Sequence, residues 1–367
     1  MQTVRPAADH LKNLEPYDPK YLPARVYLNA NENPYGMPEK ARTEFVRMIE
    51  SEPLHRYPDP LAKRLRSAVS TKLGLAPECI VLGNGGDELL FNLCLAYGGK
   101  GRSMLIAPPT FASYYSNALL THTELVEVPR AGSVSLEGML DLSIDEEAIL
   151  ERISSGTIDI VMLTSPNNPS GDCLSLAFIK ELLAASDAVV LIDHAYIEFS
   201  APGFNATSLL AGNANLAILR TFSKAYGLAG MRIGYIAANT GITSELCKVR
   251  QPYSVDSLAA LAALSALAEE DEVQRSVERI VSERLRLASL VGSLGHGIPV
   301  APSEANYLLI KVPNAHAVWK ELHETYGILV RDLSAQEGLT DCLRVSIGTP
   351  AENDEFIKAL REIAIEN

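Results

Sequence analysis

Thr221-Phe222-Ser223-Lys224-Ala225-Tyr226-Gly227 follows a short apolar run at 216–219 and continues into Met231-Arg232-Ile233-Gly234-Tyr235. A lysine among small hydroxyl residues therefore stands where a buried strand ends. In open α/β sheets, ligands bind at the carboxyl ends of strands. Such a lysine can form a Schiff base with a carbonyl when desolvation or neighbouring cations lower its pKa. Arg232 can neutralise a phosphate, and the hydroxyls of Thr221 and Ser223 can hydrogen-bond it. Read alone, the stretch also fits a surface lysine at the start of a helix.

The same arrangement recurs on either side. The apolar run 189–192 ends in Asp193-His194-Ala195-Tyr196. An acid at the tip of a buried strand is costly unless a cation pairs with it. A protonated pyridine nitrogen is such a cation, and Tyr196 could hydrogen-bond a phenolic oxygen on the same ring. An ordinary helix-capping aspartate is the plainer reading. The run 158–163 leads into Thr164-Ser165-Pro166-Asn167-Asn168-Pro169-Ser170-Gly171, a turn stiffened by two X-Pro steps, which can hold the Asn168 amide as a donor. The run 79–82 ends in Gly83-Asn84-Gly85-Gly86-Asp87-Glu88, where main-chain N–H groups can crowd an anion at a helix start. Gly83 and Gly85 match the first part of a dinucleotide fingerprint, but Glu88 stands where its third glycine belongs. A phosphate cup is favoured over a nicotinamide site. Near the end stand two arginines, in Val330-Arg331-Asp332 and in Leu343-Arg344-Val345, the second inside a strand pattern. Their planar forks suit carboxylate or phosphate, although an edge-strand arginine facing water has the same pattern.

Between these points strands and helices alternate. Helices are expected from Asp59-Pro60 to Gly74 and at 87–97, 110–120 and 175–186. Strands are expected at 103–107, 123–128 and 233–237. Continuous apolar strands with interleaved helices imply an α/β fold with a mostly parallel sheet buried on both faces. After Gly241 the pattern becomes three helices, then strands at 305–312 and 343–347 with helices at 315–326 and 351–365. We expect a large domain over 31–280, with 1–30 and 281–367 forming an N-terminal arm and a smaller α+β domain. The arm is rich in proline and tyrosine and reads as extended chain with turns.

Composition narrows the function. The 367 residues carry 32 Lys+Arg against 45 Asp+Glu, a net charge of −13. With no basic cluster, neither nucleic acid nor an anionic membrane surface is expected as a partner. No apolar run is long enough for a bilayer span, and the first residues lack a signal-peptide core. Five widely spaced cysteines fit neither a disulfide framework nor a zinc site, so free thiols in a reducing cytoplasm and no metal are expected.

Taken in order, these segments resemble the fold-type-I aminotransferases that use pyridoxal 5′-phosphate (PLP), over essentially the whole chain. Tyr27-Leu28-Asn29-Ala30-Asn31-Glu32-Asn33-Pro34, Arg56-Tyr57-Pro58-Asp59-Pro60, 327–332 and 343–349 are most similar to the histidinol-phosphate aminotransferases within that family. The resemblance implies roles. Lys224 would hold the cofactor covalently, Asp193 would keep the pyridine nitrogen protonated, and Tyr196 and Asn168 would bond the phenolic oxygen. Phe111 would stack on the ring. Gly85, Gly86 and Asp87, with Thr221, Ser223 and Arg232, would hold the phosphate. Tyr57 would reach the cofactor of a second subunit, implying a homodimer with a shared site. Arg331 and Arg344, with Tyr17 and Asn33, would receive anionic substrates. Those would be L-histidinol phosphate and the L-glutamate/2-oxoglutarate pair, in histidine biosynthesis. An aromatic amino acid aminotransferase or a threonine-phosphate decarboxylase would share the cofactor residues. One departure is local: the family usually has Asp-Glu-Ala-Tyr where this chain has Asp193-His194-Ala195-Tyr196. His194 reads as structural, because no second histidine lies at ligand spacing.

Overall fold

A computed structural model describes residues 4–5, 8–11, 14, 22–134, 139–294 and 297–366. Its strands, in chain order, are β1 (Val26–Leu28), β2 (Ile80–Gly83), β3 (Ser103–Ile106), β4 (Glu124–Glu127), β5 (Ser133–Val134), β6 (Leu140–Asp141), β7 (Ile160–Thr164), β8 (Val189–Asp193), β9 (Leu216–Thr221), β10 (Gly234–Ala238), β11 (Tyr307–Lys311), β12 (Ile328–Asp332) and β13 (Cys342–Ser346). Seven of them form one sheet in the order β2-β10-β9-β8-β7-β3-β4. Every neighbouring pair in it is parallel except the two made by β10, which runs antiparallel to both β2 and β9.

The apolar runs are explained by burial on both faces. Val190, Ile192, Leu216 and Ile218 pack into one core, with Phe178 and Leu182 of the helix Leu176–Ala185. Val189, Leu191, Ala217 and Leu219 pack into a second core, with Leu89 and Leu93 of the helix Gly85–Tyr97. Adjacent residues thus serve opposite faces, which leaves no room for polar alternation. Each of the valine, leucine, isoleucine and phenylalanine side chains among them contributes roughly 1.5–3 kcal/mol on burial.

A second sheet has the order β1-β12-β13-β11, joining the N-terminal segment to three strands that all lie beyond residue 306. Strand β1 is parallel to β12, and the other pairs are antiparallel. The helix Glu270–Gly292 runs without interruption through residue 280.

Local expectations shift in two places. Asp59 does cap backbone N–H groups, those of Leu61 and Lys63, at 3.0 and 2.9 Å. The helix itself begins only at Lys63, because Ala62 takes a left-handed conformation (φ 43°) that breaks the first turn. Gly74, also left-handed, ends it as expected. A helix at Glu39–Ile49 follows the proline-rich segment, which the arm reading did not anticipate. Its apolar residues Ala41, Phe45, Met48 and Ile49 recur at helical spacing, and of these only Ala41 is fully buried.

Candidate active site

Parallel neighbours end on one edge of a sheet, and here they deliver the chemistry. Thr164 pairs with Asp193, and Asp193 with Leu219, so the ends of β7, β8 and β9 lie side by side. The asparagine turn, Asp193 and the lysine loop follow from these three ends. The helix start at Gly85 follows from β2.

Asp193 is 3% exposed. Its Oδ2 accepts from the Tyr114 hydroxyl at 2.9 Å, and its Oδ1 from the Ala195 N–H at 3.0 Å. Burial pushes its carboxyl up to about 6 against these two donors. A cation placed against it would restore the ionised form. Tyr114 was missed in the sequence; the only signal was a tyrosine in a helix that packs on β8.

Lys224 reaches the same cavity. Its Nζ donates to the Ala30 carbonyl at 2.9 Å and stands 5.6 Å from the Tyr196 ring centre. Desolvation, then the nearby Arg344 charge, lowers its pKa to about 8. The Tyr196 hydroxyl oxygen accepts from Asn31 Nδ2 at 3.1 Å, which leaves its own proton to donate. Asn31 is fixed in turn by Ser346, whose Oγ donates to Asn31 Oδ1 at 3.0 Å. Asn168 uses its Oδ1 to accept from Arg344 Nη1 at 2.6 Å, which orients the amide nitrogen the other way.

At the helix start, Gly85 has φ 77°. A Cβ there would come within 2.5 Å of Arg232 Nη2, so only glycine lets the guanidinium lie against the first turn. Arg232 donates to Asp87 Oδ2 at 3.1 Å and to the Ala229 carbonyl at 3.0 Å. The Thr221 hydroxyl donates to Ser223 Oγ at 2.9 Å, freeing the Ser223 proton for another acceptor.

Two cavities meet at these residues. One, of about 160 Å³, is lined by Gly86, Asp87, Thr221, Ser223, Arg232 and Asp193, among others. The other, of about 230 Å³, is lined by Asn29, Asn31, Gln336, Arg331 and Arg344, among others. Phe111, Asn168, Tyr196 and Lys224 line both. Arg331 and Arg344 face each other across β12 and β13. Like charges opposite one another in a sheet are destabilising, and an anion between them removes the conflict. Arg344 also donates to the Asn29 carbonyl at 2.7 Å.

Of the remaining expected residues, one takes a different place, one faces outward and one is not described. Asn33 is a correction: its Nδ2 donates to the Ala225 carbonyl and to Ser276 Oγ, both at 2.9 Å. Its Oδ1 accepts from the Tyr35 N–H, so the side chain is used in tying the lysine loop to the helix Glu270–Gly292, and it lines neither cavity. Tyr57 is 83% exposed and stacks on Tyr253 at 4.7 Å. Tyr17 lies outside the described residues.

His194 is fully buried. Its Nε2 accepts from the Ala206 N–H at 3.1 Å, so Nε2 carries no proton. Its Nδ1 lies 2.6 Å from the Ser165 carbonyl and must be the donor. The ring is therefore neutral, and desolvation, then the Arg220 charge, pushes its pKa down to about 3. It clamps the asparagine turn to the end of β8.

Residues 24–360 match the family model for aminotransferase class I and II. The chain is 41% identical over 351 residues to histidinol-phosphate aminotransferase 1 of Carboxydothermus hydrogenoformans, covering 95% of this chain and 96% of that one. It is 35% identical to the histidinol-phosphate aminotransferase of Chlorobaculum tepidum, covering 98% and 100%. This chain belongs to the class I and II aminotransferases. Among solved structures, the histidinol-phosphate aminotransferase of Sinorhizobium meliloti, crystallised with pyridoxal-5′-phosphate, superposes with a TM-score of 0.86 at 24% identity, covering 99% of each chain. In this aminotransferase no described helix is long and apolar enough to cross a membrane.

Proposed function

We propose that the chain is a PLP-dependent aminotransferase that exchanges the amino group between L-histidinol phosphate and 2-oxoglutarate, giving imidazole-acetol phosphate and L-glutamate in histidine biosynthesis. The observation that carries the substrate side is the Arg331–Arg344 pair facing each other beside Lys224. Every proposed substrate carries an anion for that pair. The curated relatives carry the same activity in their names.

The residues present fit PLP. The glycine-built cradle at Gly85, with Arg232 against it and the first-turn N–H groups of the helix, suits a phosphate. Asp193, buried beyond what its two donors offset, suits a protonated pyridine nitrogen. The free donor capacity of Asn168 and Tyr196 suits the phenolic oxygen, and Phe111 would cover the ring. Bound there, PLP supplies a carbonyl carbon for amino groups and a ring that takes up the electron pair released at the substrate α-carbon.

The chain's own groups do the rest. Lys224 Nζ, in its neutral form, takes the α-proton and returns it, as a general base then acid. Its lowered pKa raises the neutral fraction near pH 7. Asp193 keeps the ring nitrogen protonated. Arg331 and Arg344 orient a carboxylate in one half-reaction and a phosphate monoester in the other, helped by Tyr17. The chain acts as a homodimer in the cytoplasm; the exposed Leu54, Tyr57 and Tyr253 support a second copy covering that surface, with Tyr57 reaching the neighbouring cofactor.

Two measurements test this. Purified protein with added PLP should show a visible absorption band that Lys224→Ala abolishes; no band in the wild type would sink the cofactor assignment. With 2-oxoglutarate, kcat/KM for L-histidinol phosphate should exceed that for L-phenylalanine by about tenfold or more. The reverse order would make the enzyme an aromatic aminotransferase.

A further inference from the structure

Tyr307, at the start of β11, is fully buried and plays no part in the reaction described above. It nevertheless touches three parts of the site at once. Its hydroxyl donates to the Asn167 carbonyl, which belongs to the peptide bond leading into Asn168. Its ring lies 5.5 Å from the guanidinium carbon of Arg344. The Tyr196 ring stands nearly perpendicular to it, with ring centres 5.1 Å apart and planes at 87°. The same segment grips the asparagine turn a second time, where the Glu304 N–H donates to the Gly171 carbonyl at 2.8 Å.

We propose that Tyr307 is a positioning residue that sets the cofactor-oxygen donors and the anion-binding arginine together. The inference rests on the PLP reading above. Fixing the Asn167 carbonyl fixes the plane of the next peptide, and with it the direction of the Asn168 side chain. That side chain must present Oδ1 to Arg344 and its amide to the cofactor. The aromatic face meanwhile gives Arg344 a platform whose quadrupole favours the cation. A core tyrosine with a satisfied hydroxyl would need only the hydrogen bond. The simultaneous contact with Arg344, Tyr196 and the Asn167-Asn168 peptide is what assigns it a further task. A single rigid side chain then spans from one sheet to the turn that follows β7 of the other.

The parts separate by substitution. Tyr307→Phe keeps the platform and removes the tether. Donors on the cofactor's phenolic oxygen drain its negative charge, so loosening Asn168 and Tyr196 leaves that oxygen better able to retain a proton. The pH midpoint of the bound cofactor's absorption, measured without substrate, should therefore rise by roughly half a unit. The KM for 2-oxoglutarate should change less than about twofold, because the ring remains. Tyr307→Leu removes both, and should add a rise in that KM of about tenfold. A Tyr307→Phe midpoint equal to the wild type's overturns the proposal, whatever happens to thermal stability, and this variant preserves the core volume if the leucine variant does not fold. A folded leucine variant with unchanged KM overturns it too. If wild-type protein shows no titrating band with PLP, the cofactor reading fails and this inference falls with it. A normal wild-type band with an unshifted phenylalanine variant defeats this inference alone.

Discussion

The two halves of the cavity are built in different ways. The half lined by Gly86, Asp193, Thr221 and Arg232 is made from the ends of neighbouring strands in one sheet. Each functional side chain lies within a few residues of an apolar run, and parallel pairing brings the runs to one edge without further instruction. The half lined by Asn29, Arg331 and Arg344 is assembled from the other sheet, whose strands lie at opposite ends of the sequence. Its arginines gain meaning only from antiparallel register, which sets them face to face. The first half gathers one carboxyl and one amine whose pKa values burial shifts, and the proposed reaction would take place between them. The second sets two arginines face to face, where the proposed anions would bind.

That contrast can be broken from either side. Asp193→Asn should do most damage, lowering kcat by about 10²–10³-fold, the scale for removing one partner of a buried charge pair. Substrate KM should move little, because the arginine half is intact. Steady-state kinetics decides this, and a change confined to KM would mean that Asp193 serves binding instead. Arg344→Ala should come next. It should raise the KM of both 2-oxoglutarate and L-histidinol phosphate by about 10–100-fold, the range for charge-assisted hydrogen bonds. An effect on one substrate only would show that the two anions use different receptors. The absorption band should persist, although its pH midpoint can move through the Arg344–Asn168 bond.

His194→Gln should have the smallest effect. Glutamine can replace the ring's donor and acceptor with its amide nitrogen and oxygen, at the cost of one extra N–H, so activity should stay within about threefold. The stability of the protein without cofactor should respond instead. The folded pKa of His194 is depressed to about 3, so between pH 3 and the unfolded value near 6.5 the native state binds fewer protons than the unfolded chain. Stability from this group is full above about pH 6.5 and is lost as pH falls. Asp193, raised to about 6, has the opposite slope: it favours the native state more as the pH drops from about 6 to about 4. The glutamine variant removes only the histidine contribution. Urea unfolding at pH 4.5 and 7.5 should show a smaller loss in the acid for the variant than for the wild type. Equal losses would mean that the buried ring already accepts a proton.

Legibility in the sequence follows the same division. Lys224, Asp193, Asn168 and the glycine turn were readable because each sits at a strand end, where local pattern and fold rule coincide. Arg344 was readable as an arginine in an apolar strand, but Arg331 gained its role only through the family resemblance. Its strand and the pairing of the two were not legible, since register across a sheet is a long-range property. Asn31 and Asn33 show the limit most clearly. Both lie in one short quoted stretch, and the substrate role was assigned to Asn33. The fold gives Asn31 the contact with Tyr196 and spends Asn33 on Ala225 and Ser276. Nothing local distinguishes two asparagines two positions apart; only partners some 165 to 243 residues away do so. Tyr114 and Tyr307 were missed for the same reason, because a buried tyrosine shows its hydroxyl's partner only after folding.

The lowered pKa of Lys224 also bears on how the protein first acquires its cofactor. An ordinary lysine amine, with a pKa near 10.4, is unprotonated in about one molecule in a few thousand at pH 7. With the value near 8, roughly one molecule in ten is ready at any instant. A standing fraction of the amine is thus nucleophilic, with Nζ positioned by the Ala30 carbonyl. Capture should quicken as pH climbs towards 8 and level off beyond it. In the proposed function, the burial that readies the amine for turnover would also ready it for its first encounter with the cofactor.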